Sequence, residues 1–166
     1  MLRSLQLGLL LALIFTFAGF ADSVSFNKDI LARHNELRKK HGAPALVWSA
    51  DVEKVAVDWA KTIAAADNMR HRQPNKYGEN IFWISGMEAT GAMVADSWYD
   101  EIKDYNFDKP GFGMDTGHFT QVVWKDSKEL GCGSAKSASG GVYVVCNYNP
   151  PGNYSGRFPA NVVKAK

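Results

Sequence analysis

"LGCGSAKSASGGVYVVCNY", residues 130–148, decides the fold. The run 141–148 is β-branched and aromatic, and a Ser/Gly-rich turn over 137–141 folds it back on 130–136. That pattern predicts a β-hairpin. Cys132 and Cys146 then face each other near its far end, within reach of a disulfide. They are the chain's 2 cysteines, so only one pairing exists. The loop so closed stabilises the fold by roughly 3 kcal/mol on chain-entropy grounds.

Upstream of the hairpin, "TGHFTQVVW" (116–124) reads as a further strand, its apolar residues alternating after His118 behind a Thr116-Gly117 turn. "NIFWI" (80–84) reads as a short strand or a buried turn. Earlier segments have helical spacing. Between Ser25 and His41, the positions Ile30, His34, Leu37 and His41 recur at three and four, and Gly42 and Pro44 stop the pattern. A second helix is expected from a Ser49 cap, with Asp51 and Glu53 at its positive end. Its apolar face is Val52, Val55, Trp59, Ile63 and Ala66. A third runs from Met87 to Asp104, with Met93, Val94, Trp98 and Ile102 inward and Asp96, Asp100, Glu101 and Asp104 on the other side. Segments 68–80 and 106–117 read as loops, rich in polar residues or in glycine and proline. Helices flanking a small antiparallel sheet give an α+β domain with helices on both faces.

The first residues carry one cation, Arg3, then an apolar run from Leu7 to Phe17 and a small-residue exit at Gly19-Phe20-Ala21. This is the layout of a signal peptide over 1–21, cleaved after Ala21. The run is short for a bilayer-spanning helix. Residues 22–166 then form one domain, long enough to bury a core of its own. The expected location is secreted and extracellular, where a disulfide persists. The formal net charge of +2 and the lack of a basic stripe beyond "RKKH" (38–41) point away from nucleic acid.

Common catalytic signatures are missing: no HExxH, GxSxG, P-loop or CxxC occurs. A sparse set of His and Glu remains outside the expected core: His71, Glu79, Glu101 and His118. Two imidazoles and two carboxylates suit zinc or another divalent cation if they converge. Taken singly, each is as well explained as a surface or packed residue. Asn153 in "NYS" is an N-glycosylation acceptor sequence.

Several motifs, taken together, carry a resemblance. "GHFTQVVW" and "YVVCNYNPPGNY" resemble the two signatures of the CAP superfamily (cysteine-rich secretory, antigen 5 and pathogenesis-related 1 proteins). "HNELRKKHG", "YGENI" and "WYDEIKDYNF" are similar to further motifs of that family, in the same order, across roughly residues 28–160. The compact Golgi-associated pathogenesis-related type is the nearest in layout. The resemblance implies an α-β-α sandwich with a central antiparallel sheet and an open cleft, residues 22–166 forming a single CAP (SCP) domain. It implies a divalent-cation set of His71, Glu79, Glu101 and His118, with Arg72 standing where members usually have a small hydroxyl residue.

The family also implies capture of sterols by the loop before the first signature, and of fatty acids between helices. In this chain that loop offers Tyr105, Phe107, Phe112 and Met114. Two readings stay open: these side chains bind lipid or a membrane surface, or they tuck under the loop and hold it shut. The functional expectation is a secreted, non-enzymatic lipid binder serving defence or extracellular signalling. The rival is a metal-dependent hydrolase or protease with Glu79 or Glu101 as general base. A weaker one is a precursor releasing a C-terminal signalling peptide after "CNY".

Overall fold

The computed structural model describes residues 18–166. The leader expected over 1–21 lies outside the described residues, except for its last four, which open the first helix. The elements are α1 (Ala18–Lys40), β1 (Val47–Trp48), α2 (Ala50–Ala65), β2 (Gly78–Ile84) and α3 (Gly91–Tyr99). A 3-10 turn (Asp100–Asp104), α4 (Gly117–Val123), β3 (Glu129–Lys136), β4 (Val142–Asn149) and α5 (Phe158–Asn161) follow. Among the described residues no helix is long and apolar enough to cross a membrane.

The four strands lie in the order β1-β3-β4-β2. The β3–β4 hairpin forms as expected, and Cys132 pairs with Cys146 in register and through the disulfide. β2 adds antiparallel to β4, and the two-residue β1 runs parallel to β3 at the far edge. Alternation along β4 sorts the core into two layers. Val144, Cys146 and Tyr148 pack with α1, α3 and α4, while Tyr143 and Val145 pack with α2. The result is an α-β-α sandwich.

The α1 reading holds: Ile30, His34, Leu37 and His41 are all buried. The face of α2 differs from the one expected. Its buried residues are Val52, Ala56, Ala60, Ile63 and Ala64, whereas Val55 and Trp59 are half-buried and Ala66 is exposed. Glycine in β3 explains the rotation. A Cβ on Gly131 would fall 2.1 Å from the Glu53 nitrogen, and one on Gly133 would fall 2.5 Å from the Val57 Cα. Bare backbone on the sheet admits the alanine line of α2 at close range. Ser49 stands at the N-cap position but makes no side-chain cap bond.

The third helix starts later than its apolar spacing suggested. Thr90 caps it by accepting from the Met93 N–H (3.2 Å), and Asp29 of α1 accepts from the Ala92 N–H (2.7 Å). Gly91 brings α3 onto α1, since a Cβ there would lie 2.4 Å from the Ile30 nitrogen.

The larger correction concerns residues 118–124, which form helix α4 and its C-cap, Trp124, rather than a strand. A short, largely apolar run does not distinguish a strand from a buried helix turn. Phe119 to Val123 are all buried, so this segment is enclosed on every side instead of alternating between core and solvent. Its ends are held by tertiary partners described below.

Candidate functional site

The four residues singled out form two His–Glu pairs. His71 lies in the loop between α2 and β2, and its Nδ1 is 2.8 Å from Oε1 of Glu79, the second residue of β2. His118 is the second residue of α4, and its Nδ1 is 2.6 Å from Oε1 of Glu101 in the 3-10 turn. A carboxylate only accepts, so in both pairs Nδ1–H donates to the glutamate, and in the neutral ring Nε2 is the nitrogen left with a lone pair. This is the arrangement in which a carboxylate orients an imidazole for a metal or a proton.

Glu101 was expected on an outward acidic face, yet it turns inward. Thr116, at the N-cap position of α4, makes no side-chain cap bond. Glu101 takes that role: Oε2 accepts from the backbone N–H of His118 (2.9 Å) and of Phe119 (3.0 Å). One carboxylate therefore starts the helix and sets the ring of its second residue. Trp98 completes the seat, its ring stacked 6.2 Å from that of His118 at 21°.

The other pair is differently exposed. The His71 side chain is 59% accessible, whereas that of Glu79 is 4%. Glu79 Oε1 also accepts from the Arg72 N–H (3.0 Å), and Oε2 from Asn75 Nδ2 at 3.3 Å. The hydrogen bond from His71 to the glutamate raises the imidazole pKa above its ordinary value, against desolvation. The Arg72 side chain turns toward α2, lining a cavity of about 320 Å³ with Asp58, Trp59 and Thr62.

Asn80 connects the two pairs. Strand alternation sends it to the face opposite Glu79, where its Nδ2 donates to the His118 carbonyl (3.1 Å) and to the Tyr148 hydroxyl (3.2 Å). Tyr148 donates in turn to Nε2 of His34 (2.8 Å), whose Nδ1–H bonds the Ile30 carbonyl (2.7 Å). Asn80, Trp98, Tyr148 and His34 thus support the site from the core. Sequence reasoning assigned Trp98 and His34 to packing alone; the only signal for Asn80 was its place beside Glu79. Among the described residues no three or more His, Cys, Asp or Glu side chains cluster as a metal site.

The loop before α4 splits the four apolar candidates. Tyr105 is buried and Phe107 half-buried, and both rings pack on Phe119 (5.4 and 6.2 Å) and on each other (4.9 Å). Phe112 and Met114 stand out at 59% and 88% exposed. The Phe112 ring lies over Gly117, 3.0 Å from where a Cβ would be. The loop itself lines a cavity of about 310 Å³, with Tyr105, Lys109, Phe112, Asp115 and Thr116 among its walls. The Tyr105 hydroxyl is buried with no hydrogen-bond partner among the described residues.

Asn153, in the glycosylation sequence, has φ +62° and an amide bonded at both its oxygen and its nitrogen. Its Oδ1 accepts from Thr120 Oγ1 (2.6 Å) and its Nδ2 donates to the Gly117 carbonyl (2.9 Å), which ties the C-terminal segment to α4. A glycan would replace one of the two Nδ2 hydrogens and crowd the donor that holds the Gly117 carbonyl. Protein from a glycosylating host is expected to show an unmodified mass at this peptide; an endoglycosidase-sensitive mass would contradict that.

Comparison with known proteins fits this architecture. The profile of the CAP family, described as the cysteine-rich secretory protein family, matches residues 31–148. Golgi-associated plant pathogenesis-related protein 1 of Homo sapiens is 40% identical over 89% of this chain and 99% of its own length. Pathogenesis-related protein 1A of Nicotiana tabacum is 39% identical over 80% of this chain and 79% of its own. Among solved structures, NaASP2 with Zn2+ superposes with a TM-score of 0.67 at 27% identity, covering 86% of each chain. With the signature residues placed as described, the chain belongs to the CAP family.

Proposed function

We propose that this CAP domain is a secreted binding protein for a sterol or another lipid, with Phe112 and Met114 as the apolar contacts of its loop. The observation that carries the reading is their exposure, 59% and 88%, beside the cavity of about 310 Å³. That volume lies at the lower end of small-molecule pockets. A sterol enters it in part, and the two exposed side chains cover the remainder. The unpartnered Tyr105 hydroxyl supplies a polar group for the ligand's own hydroxyl. Tyr105 and Phe107 hold the loop to Phe119 and are the frame of the site.

A divalent cation is the second element of the proposal. The donor types suit a cation, since both imidazoles have Nε2 to offer and Glu79 and Glu101 orient them, but the two pairs do not gather into one donor cluster among the described residues. NaASP2, solved with Zn2+, shares the fold. A bound cation would supply Lewis acidity, with His71 and His118 as its ligands. Glu101 already accepts three N–H groups, which favours a positioning role over that of a general base.

The test uses the Phe112→Ser/Met114→Ser double variant. Sterol affinity is expected to fall about tenfold or more, the equivalent of losing one to two apolar contacts. Its melting temperature should match the parent, because both side chains are exposed. Undiminished sterol affinity would overturn the assignment of the loop. Chelator-sensitive peptide cleavage lost in His118→Ala would favour the hydrolase instead.

A further inference from the structure

Asn147 of β4 is fully buried, and neither its Oδ1 nor its Nδ2 has a hydrogen-bond partner among the described residues. Buried amides in folded proteins are almost always partnered, so this one marks a site. Its position in the sheet says where. Asn147 stands opposite Gly131 of β3 on one side and opposite Glu79 of β2 on the other. Directly opposite residues share a face, with Cβ atoms about 4.5–5.5 Å apart. Alternation along β4 puts that face on the α2 side, with Val145 and Tyr143.

Toward Gly131 the space is filled by the backbone of α2, at Val52 and Glu53. Toward Glu79 it meets a carboxylate with capacity to spare. Oε1 holds His71 and the Arg72 N–H, while among the described residues Oε2 has only the 3.3 Å contact from Asn75. A spare acceptor and a spare donor thus belong to residues directly opposite each other in one strand pairing, with no direct bond between them.

We propose that a single bound water molecule joins the two, accepting from Asn147 Nδ2–H and donating to Glu79 Oε2. Asn147 is thereby a positioning residue for the His71–Glu79 pair. A cation at the same place would meet two oxygens but also the Nδ2 protons; water matches both groups. The bridge completes the bonding of a carboxylate that is almost wholly buried. It fixes Oε1 on the His71 Nδ1–H and so leaves Nε2 free. It stands whether or not the cleft takes a lipid or a cation.

The experiment uses the folded domain, 22–166, with Asn147→Leu and Asn147→Ser. Nuclear Overhauser transfer from water should reach the Asn147 amide protons in the parent, as from a long-lived internal water. In Asn147→Leu, 15N spectra of His71 should show the tautomer ratio moving roughly two- to tenfold away from Nδ1–H, the equivalent of one net hydrogen bond. Asn147→Ser, which keeps a hydroxyl for the water, should restore the parent ratio. If no water transfer reaches Asn147, the proposal fails, and that parent measurement decides even if the leucine variant does not fold. An unchanged His71 tautomer in folded Asn147→Leu would also overturn it.

Discussion

Replacing Arg38 by methionine is expected to lower the unfolding free energy by roughly 3–5 kcal/mol, with the melting temperature falling by roughly 10 °C. Arg38 is fully buried on α1, and no carboxylate pairs with it among the described residues. Its guanidinium is held by four backbone carbonyls. Nε donates to Pro44 (2.8 Å), Nη1 to Val122 and Trp124 (2.9 Å each), and Nη2 to Ser127 (3.0 Å). Val122 and Trp124 stand at the end of α4, where the helix dipole is negative. Burial pulls the arginine pKa down to about 10, which still leaves it charged at neutral pH.

Methionine fills much of the volume but strands these acceptors, at about 1–3 kcal/mol for each that becomes unsatisfied. Relief of the buried charge offsets part of that loss. Lysine should recover less than half, because a single ammonium cannot reproduce the fixed fork. Urea unfolding of both variants checks this. A loss for Arg38→Met within about 1 kcal/mol would contradict it.

The second large effect is a loss of stability in acid, traced to His34. It is fully buried, bonded through Nδ1 to Ile30 and through Nε2 to Tyr148. Burial, aided by Arg38, lowers its pKa from 6.5 to about 4, and the Ile30 bond opposes this only in part. Below pH 6.5 the unfolded chain therefore binds a proton that the native state refuses. Stability falls as pH drops from 6.5 toward 4, by about 3 kcal/mol in total from this group.

His41 is shifted the same way, mainly by burial. His71 has the opposite sign: its raised pKa adds stability below pH 6.5 that is lost as pH rises through the folded value. Its exposure keeps that contribution small. Urea unfolding at pH 7 and 4.5, in the parent and in His34→Gln, isolates the effect. The glutamine variant should start less stable and decline less steeply. Equal slopes would contradict the assignment.

Two kinds of pattern were legible in the sequence. Helical spacing in α1 showed which residues face inward, and the hairpin with its paired cysteines set the sheet. Residues 118–124 misled because a fully buried helix turn looks like a strand, and its start is fixed by Glu101, seventeen residues back. The face of α2 was hidden for a related reason: Gly131 and Gly133, far along the chain, decide which side of the helix comes closest. For the site, family motifs supplied His71, Glu79, Glu101 and His118. They did not supply the pairing, or the parity that puts Glu79 and Asn80 on opposite faces of β2. Of the four apolar loop residues, Phe112 and Met114 are the exposed pair; no local pattern separates them from Tyr105 and Phe107, which share the loop's composition.

Whether this domain binds lipid through its loop and without chemistry at the histidines is decided by sterol titration of the purified domain, 22–166, in the parent and in His118→Ala. Saturable binding of one sterol per chain, retained in His118→Ala, is the result expected. Absence of saturation in the parent would contradict it.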